Sequence, residues 1–323
     1  LSKPFDFLDP LLEIEHKIRE LDQLASETGL AMDGEMESLR KKLAVMTRNT
    51  FDNLNAWQRV QLSRHPGRPQ TSDYIDHMVT DFVPLAGDRA FADDEAIICG
   101  LGTIDDERVM IIGQQKGKDV HERRRCNFGS PHPEGYRKAM HKMRLAERFG
   151  LPIIALINTP GAFPGIGAEE RGQSIAIAEN IRDMSRLKVP VVCVIIGEGG
   201  SGGALGIGVG DRIITLENSY YSVISPEGCA AILWKDGAKA PLAAEALNLT
   251  SHALQKLGIV DDIVEEPPGG AHRAPEAMAE RLRTTLLRHL RELKPLAVDD
   301  LLEQRYQKFR AIGSWNEATT VGS

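Results

Sequence analysis

The sequence has no Cys-x-x-Cys pair: its four cysteines, Cys99, Cys126, Cys193 and Cys229, stand far apart. That spacing excludes a ribbon-type zinc site and fits free, mostly buried thiols in a reducing compartment. Long apolar runs are missing as well, since each is broken by Pro, Gly or charge well short of the roughly 20 residues a membrane helix needs. No membrane span is expected. A basic excess is absent: the net charge of −7 argues against nonspecific nucleic-acid binding and for solubility. The opening Leu1-Ser-Lys-Pro-Phe-Asp6 has no basic region followed by an apolar core, so no secretory signal is expected and a cytoplasmic location is. Low-complexity sequence is confined to the short tail Ala318-Thr-Thr-Val-Gly-Ser323.

Glycine, by contrast, is concentrated. Gly197-Glu-Gly-Gly-Ser-Gly-Gly203 follows the apolar run Val191–Ile196 directly. A strand ending in residues without Cβ atoms lets a ligand reach bare backbone N–H groups, which is how a protein holds an oxyanion or a phosphate. A second case lies one strand earlier, where Leu151–Ile157 runs into Asn158-Thr-Pro-Gly-Ala-Phe-Pro-Gly165 and then a helical segment. Two successive units of strand, glycine loop and helix suggest one site with two donor loops.

At 323 residues the chain is long for one compact domain, so a main domain with appendages is expected. Leu8, Leu11, Leu12, Ile14, Ile18, Leu21 and Leu24, then Leu39, Leu43 and Met46, fall at helical spacing and predict a helical N-terminal arm over residues 1–80. Arg64-His-Pro-Gly-Arg-Pro69 breaks its helix. A core over 81–266 opens with a predicted hairpin, Ala96–Ile104 and Val109–Gln114, and continues with a helix over about 133–149 and the two glycine units. Short strands at 212–216 and 220–224, helices through Ala231 and Ala243 and a strand near 259–264 complete it. Residues 267–323 are expected to form a C-terminal helical segment whose Ala274–Leu293 is an amphipathic helix with Met278, Leu282, Leu286, Leu287 and Leu290 on one face. The apolar faces at the two ends of the chain are expected to serve subunit contacts.

The glycine run fits more than one motif. Gly197-x-Gly199-x-x-Gly202 satisfies a dinucleotide fingerprint, with Glu217 where a ribose-binding acid would sit, but the segment from Gly203 to Gly210 is short and glycine-rich for a crossover helix. Gly199-x-Ser201-x-Gly203 satisfies a nucleophile elbow, with Asp261, Asp262 and His272 downstream in hydrolase order. A phosphate loop is excluded because no Gly-Lys-Ser/Thr follows. Close packing of strand on helix explains one or two glycines, not five in seven.

Four segments taken together, Asn158 to Gln173, Gly197 to Asp211, Ser222 to Trp234 and Asn127 to Lys138, with Arg64-His-Pro-Gly-Arg-Pro69, resemble the carboxyltransferase α subunit of bacterial-type acetyl-CoA carboxylase. The resemblance runs from the helical arm to the C-terminal helix. It implies an α/β fold of the crotonase type (ClpP/crotonase-like), a spiral of strand-strand-helix units. It implies an α2β2 heterotetramer with a carboxyltransferase β subunit, working with biotin carboxylase in an ATP-dependent complex. The carboxyl group passes from carboxybiotin, on the biotin carboxyl carrier protein, to acetyl-CoA, giving malonyl-CoA in the first committed step of fatty acid synthesis. No cofactor is held permanently, and zinc is expected on the β partner only. By the same resemblance one oxyanion donor comes from each glycine loop, Gly161 or Ala162 and Gly202 or Gly203. Gly199, Gly200, Ser201, Phe163 and Pro164 would contact carboxybiotin. No His, Asp or Glu is assigned a catalytic role. A self-contained acyl-CoA hydratase or hydrolase on the same fold, a Ser201 hydrolase and a silent scaffold are the competing readings.

Other polar residues have simpler readings. Lys116, Lys118 and Arg123-Arg124-Arg125 read as a solvated loop, and His121 and His132 as too isolated to ligate metal. Glu169-Glu170 suits a helix start, and Ser225-Pro226 an N-cap with Pro in the first turn. Trp234 and Phe163 read as packing or wall residues rather than as chemistry.

Overall fold

The structure, a computed structural model, describes residues 4–28 and 33–313. The N-terminal arm consists of α1 (Asp9–Thr28), α2 (Asp33–Asp52), α3 (Ala56–Ser63) and α4 (Thr71–Met78). It leads into β1 (Thr80–Pro84), then β2 (Ile97–Ile104) and β3 (Glu107–Gln114), then α5 (Val120–Arg125) and α6 (Pro133–Arg148). Next come β4 (Ile153–Thr159), α7 (Ile166–Glu170), α8 (Gln173–Met184), β5 (Val191–Gly200) and α9 (Ser201–Leu205). The chain continues through β6 (Arg212–Leu216), β7 (Tyr220–Ser222), α10 (Pro226–Trp234), α11 (Ala240–Ala246), α12 (Ser251–Lys256) and β8 (Asp262–Val264). Helices α13 (Pro275–Leu293) and α14 (Val298–Arg310) close it.

One sheet runs β1-β2-β3-β4-β5-β6-β8, with β7 paired to the far end of β5. β2 and β3 form the predicted hairpin, in register from Ile97↔Gln114 to Ile104↔Glu107, and Asp105 makes the turn at φ 51°. From β3 onward the pairs are parallel. Parallel strands need both faces covered, so β4 and β5 are apolar without alternation. Met110, Ile112, Ile153, Ala155, Cys193 and Ile195 join a cluster with Tyr136, Met140 and Met143 of α6 and Ala176 of α8. Ile111, Ile154, Leu156, Val192, Val194 and Ile196 join Tyr74 and Ile75 of α4 and Leu282, Leu286 and Leu290 of α13. All four cysteines are buried and unpaired.

Several expectations need correcting. The apolar stripe of α13 does not wait for a partner: Met278, Leu282, Leu286, Leu287 and Leu290 are consumed by the chain's own sheet. The glycine run is not a loop, because β5 continues through Gly197 and Gly199 to Gly200. The basic segment after Lys118 is a short helix, α5, capped by Asp119, whose carboxylate accepts from the N–H groups of His121 and Glu122. The strand expected near 259–264 is only β8, and the one expected at 220–224 stops at Ser222. β1 and α12 add elements to those expected, while α4 and α14 fall inside the expected helical arm and C-terminal helical segment. As expected, Ser225 caps α10, accepting from the Gly228 N–H, and Pro226 stands in its first turn.

Candidate active site

The ends of β4 and β5 bring the two glycine segments into contact. Thr159 pairs with Gly199, and a Cβ on Gly200 would lie 2.2 Å from the Pro160 carbonyl oxygen. A Cβ on Gly203 would lie 2.4 Å from the Ala162 nitrogen and 2.5 Å from the Gly161 carbonyl carbon. Only glycine permits this approach. Gly161, at φ 150°, donates its N–H to Thr159 Oγ1 at 3.0 Å, so it is committed. The neighbouring Ala162 N–H makes no hydrogen bond among the described residues, and its nitrogen lies against Gly203. On the second segment α9 begins at Ser201, and first-turn N–H groups have no helical acceptor behind them.

The remaining candidate residues are distributed around this contact. Ser201 and Gly202 line an apolar cleft of about 340 Å³ with Leu205, Tyr221, Val223 and Phe309. A Cβ on Gly202 would meet only Ile177 at 3.8 Å, leaving room on that side. Gly199 lies under the Tyr221 ring, where a Cβ would approach to 2.8 Å. The Phe163 ring stacks on His132 at 4.2 Å, and its N–H donates to the Pro131 carbonyl. Pro164 is exposed and lines neither this cleft nor the polar cavity described next.

That polar cavity, about 280 Å³, is walled by Arg64, Arg68, Lys116, Arg123, Asn158 and Glu198, among others. Its shape comes from a β-bulge: between Ile157↔Ile195 and Thr159↔Gly199, β5 uses four residues where β4 uses two. Glu198, buried within the bulge, accepts from Arg64 Nε at 2.6 Å and Tyr220 Oη at 2.9 Å and is ion-paired with Lys116. Arg64 also pairs with Glu227. Burial alone would push the Glu198 carboxyl up, but Lys116 and Arg64 more than offset it and hold it at about 2. Burial in turn lowers Lys116 despite its partner. Arg68 is buried against Glu266 at 2.5 Å and ties its Nε to the Ile196 carbonyl. The solvated-loop reading of Lys116 is therefore overturned, and the arginines of Arg64-His-Pro-Gly-Arg-Pro69 do more than end a helix. Sequence reasoning missed Glu198, Arg64 and Asn158. The available signal was one charged residue inside a run of glycines at the end of an apolar strand.

The competing motifs lose their parts. Asp261 is ion-paired with Lys308, Asp262 bonds His289 and Arg288, and His272 packs against His65 at 4.0 Å. None of the three is bonded to Ser201. Burial, then the neighbouring His65, lowers His272 to about 3, too low for a base near neutrality. For a dinucleotide, β5 leaves no loop before α9, and Glu217 accepts from the Glu266 N–H at 3.0 Å. No cluster able to hold a metal occurs among the described residues.

Residues 4–313 match the family described as acetyl co-enzyme A carboxylase carboxyltransferase-like. The chain is 56% identical over 310 residues to an acetyl-coenzyme A carboxylase carboxyl transferase subunit alpha of Xanthomonas campestris pv. campestris, covering 96% of this chain and 97% of that protein. It is 55% identical over 311 residues to the same subunit of Edwardsiella ictaluri, covering 95% and 98%. In fold it is similar to transcarboxylase 12S, with a TM-score of 0.53 at 19% identity, over 68% of this chain and 42% of that one. The chain thus spans under half the length of that enzyme. It is also similar to a Pseudomonas malonate decarboxylase hetero-tetramer solved with coenzyme A, with a TM-score of 0.53 at 18% identity, over 65% and 84%.

Proposed function

The chain belongs to the acetyl-CoA carboxylase carboxyltransferase α-subunit family, on the crotonase-like fold, and from that premise we propose how its glycine contact serves the reaction. The subunit takes part in moving a carboxyl group from carboxybiotin to acetyl-CoA. Loss of that carboxyl leaves negative charge on the ureido oxygen of biotin, and acetyl-CoA must pass through an enolate. Both charges need donors already in place. In this reading the Ala162 N–H and the first-turn N–H groups of α9 at Gly202 and Gly203 are the donors that receive the biotin ureido oxygen. Fixed backbone donors in a dry site stabilise such charge without reorganising, at about 3–4 kcal/mol per donor. The single observation that supports this is the backbone contact between Gly203 and Ala162. The apolar wall of the adjoining cleft excludes water from the carboxyl group in transit.

We place the acetyl-CoA oxyanion site on a carboxyltransferase β subunit in an α2β2 assembly, with its zinc, and the biotin on a separate carrier protein fed by biotin carboxylase. Exposed apolar side chains favour the partner: Val223 at the cleft, Ile232 and Leu233 of α10 and Leu242 of α11 are each more than half exposed, although the stripe on α13 is not. The experiment is Gly202→Val in the reconstituted assembly. Its side chain has room in the protein but projects beside the proposed oxyanion position. Malonyl-CoA formation should fall at least about a hundredfold, the scale of one oxyanion donor, with gel filtration unchanged. A fully active variant would reject the site.

A further inference from the structure

Gln114, the last residue of β3, is fully buried and spends both ends of its amide on the two glycine segments. Its Oε1 accepts from the Asn158 N–H at 3.0 Å, at the root of the first segment. Its Nε2 donates to the Gly203 carbonyl at 2.8 Å, in the second. A second donor, Tyr136 Oη, reaches the same carbonyl at 3.1 Å from α6. Two donors use both lone pairs of that oxygen. The backbone of Gln114 is itself held, because its carbonyl accepts from Thr71 Oγ1 at 2.7 Å and β2 pairs along it.

All carbonyls of a helix point one way along its axis and all N–H groups the other. Holding the Gly203 carbonyl therefore orients α9, a helix of five residues too short to hold its own direction, and so aims its first-turn N–H groups. Holding the Asn158 N–H fixes the strand end from which Ala162 departs. We propose that Gln114 is a positioning residue, a brace that sets the distance between the two oxyanion donors, with Tyr136 as its auxiliary. This rests on the proposed role of the glycine contact. It assigns the geometry of a backbone site to one side chain from a third strand.

The test uses the reconstituted assembly with three variants. Gln114→Leu removes both bonds at nearly constant volume. Gln114→Glu keeps the acceptor for Asn158, but its carboxylate faces the Gly203 carbonyl, and only its protonated form can donate there. Tyr136→Phe keeps the ring and loses one donor. The expected kcat falls by at least about thirtyfold for Gln114→Leu and about threefold for Tyr136→Phe, with KM for acetyl-CoA within about twofold, the scale of one or two lost hydrogen bonds. For Gln114→Glu, kcat should fall relative to the parent as pH rises through the ionisation of the new carboxyl. A residue that only filled space would give neither the split between kcat and KM nor the new pH profile. If Gln114→Leu fails to assemble, Gln114→Glu at low pH and Tyr136→Phe still decide. Parental kcat and pH profile in Gln114→Glu, with Gly202→Val inactive, overturn the brace while leaving the oxyanion site standing. An active Gly202→Val overturns the site itself, and the brace with it.

Discussion

Two cavities adjoin the last few residues of β5 and the start of α9, and they are built from opposite materials. The polar one is made of side chains already committed to each other: Glu198 with Arg64, Lys116 and Tyr220, and Arg68 with Glu266. The apolar one is reached by backbone left bare, at Gly202 and beside the Ala162–Gly203 contact. A group whose lone pairs and protons are spent on neighbours has little left for a substrate, whereas uncommitted N–H groups in a dry place are costly unless something arrives to use them. The charged cavity therefore holds the strand end in place, which leaves the bare glycine backbone as the site we propose for the chemistry.

The difference can be broken from the charged side first. Glu198→Gln keeps the shape but leaves Lys116 buried without its counter-charge, and should cost about 3–5 kcal/mol of stability in urea unfolding. Its pH dependence has a definite sign. Lys116 and Arg64 hold the Glu198 carboxyl at about 2 in the folded protein against the ordinary 4.5, so its contribution is complete above about pH 4.5 and lost as pH falls towards 2. The gap between parent and variant should accordingly shrink on acidification from pH 6 to pH 3. A gap that widened would mean that the carboxylate is not what holds the network.

From the glycine side, Gly203→Ala is the sharper probe. A single methyl group placed 2.4 Å from the Ala162 nitrogen forces the two segments apart. Carboxyl transfer in the assembled enzyme should fall about a hundredfold or more, and unfolding should show a smaller loss than in Glu198→Gln. If the order were reversed, with Gly203→Ala unstable but catalytically normal, the glycine contact would be packing alone.

Legibility in the sequence followed the same division. β4 and β5 show as unbroken apolar runs because they are covered on both faces, and α13 shows because Met278, Leu282, Leu286 and Leu290 repeat every four residues. The glycine segments show because they lack side chains. Lys116 reads as solvated in the sequence because its partner Glu198 lies 82 residues away, and nothing local distinguishes a lysine paired with a buried carboxylate from one in water. The bounds of α14 within the C-terminal helical segment are hard to read for a related reason. Its chief anchor is not apolar: Arg305, 1% exposed, donates to Asp211 and to the carbonyls of Met184, Leu187 and Val189. β1, an edge strand that is mostly exposed, carries no hydrophobic alternation to read. Gln114 ends a strand that was foreseen, but its two partners belong to segments that only the fold brings together.

The smallest effect is expected at Ser201, where the two readings of the glycine motif differ most. Its φ of 53° is left-handed, at a strand-to-helix turn, which is the backbone posture of a nucleophile elbow. Posture is not chemistry. A serine nucleophile needs a base within hydrogen-bond reach, and none of Asp261, Asp262 or His272 is bonded to it, while His272 would be deprotonated but scarcely basic near neutrality. The cleft beside Ser201 is walled by Leu205, Tyr221, Val223 and Phe309, none of them a base for a hydroxyl. If backbone N–H groups do the work, the turn serves to start α9 and Ser201 only has to be small. Ser201→Ala should lower carboxyl transfer less than about tenfold, roughly 1.4 kcal/mol. Loss of a true nucleophile would cost several orders of magnitude. The measurement is kcat for malonyl-CoA formation in the reconstituted assembly. An inactive Ser201→Ala beside an active Gly203→Ala would move the chemistry from the backbone to the hydroxyl.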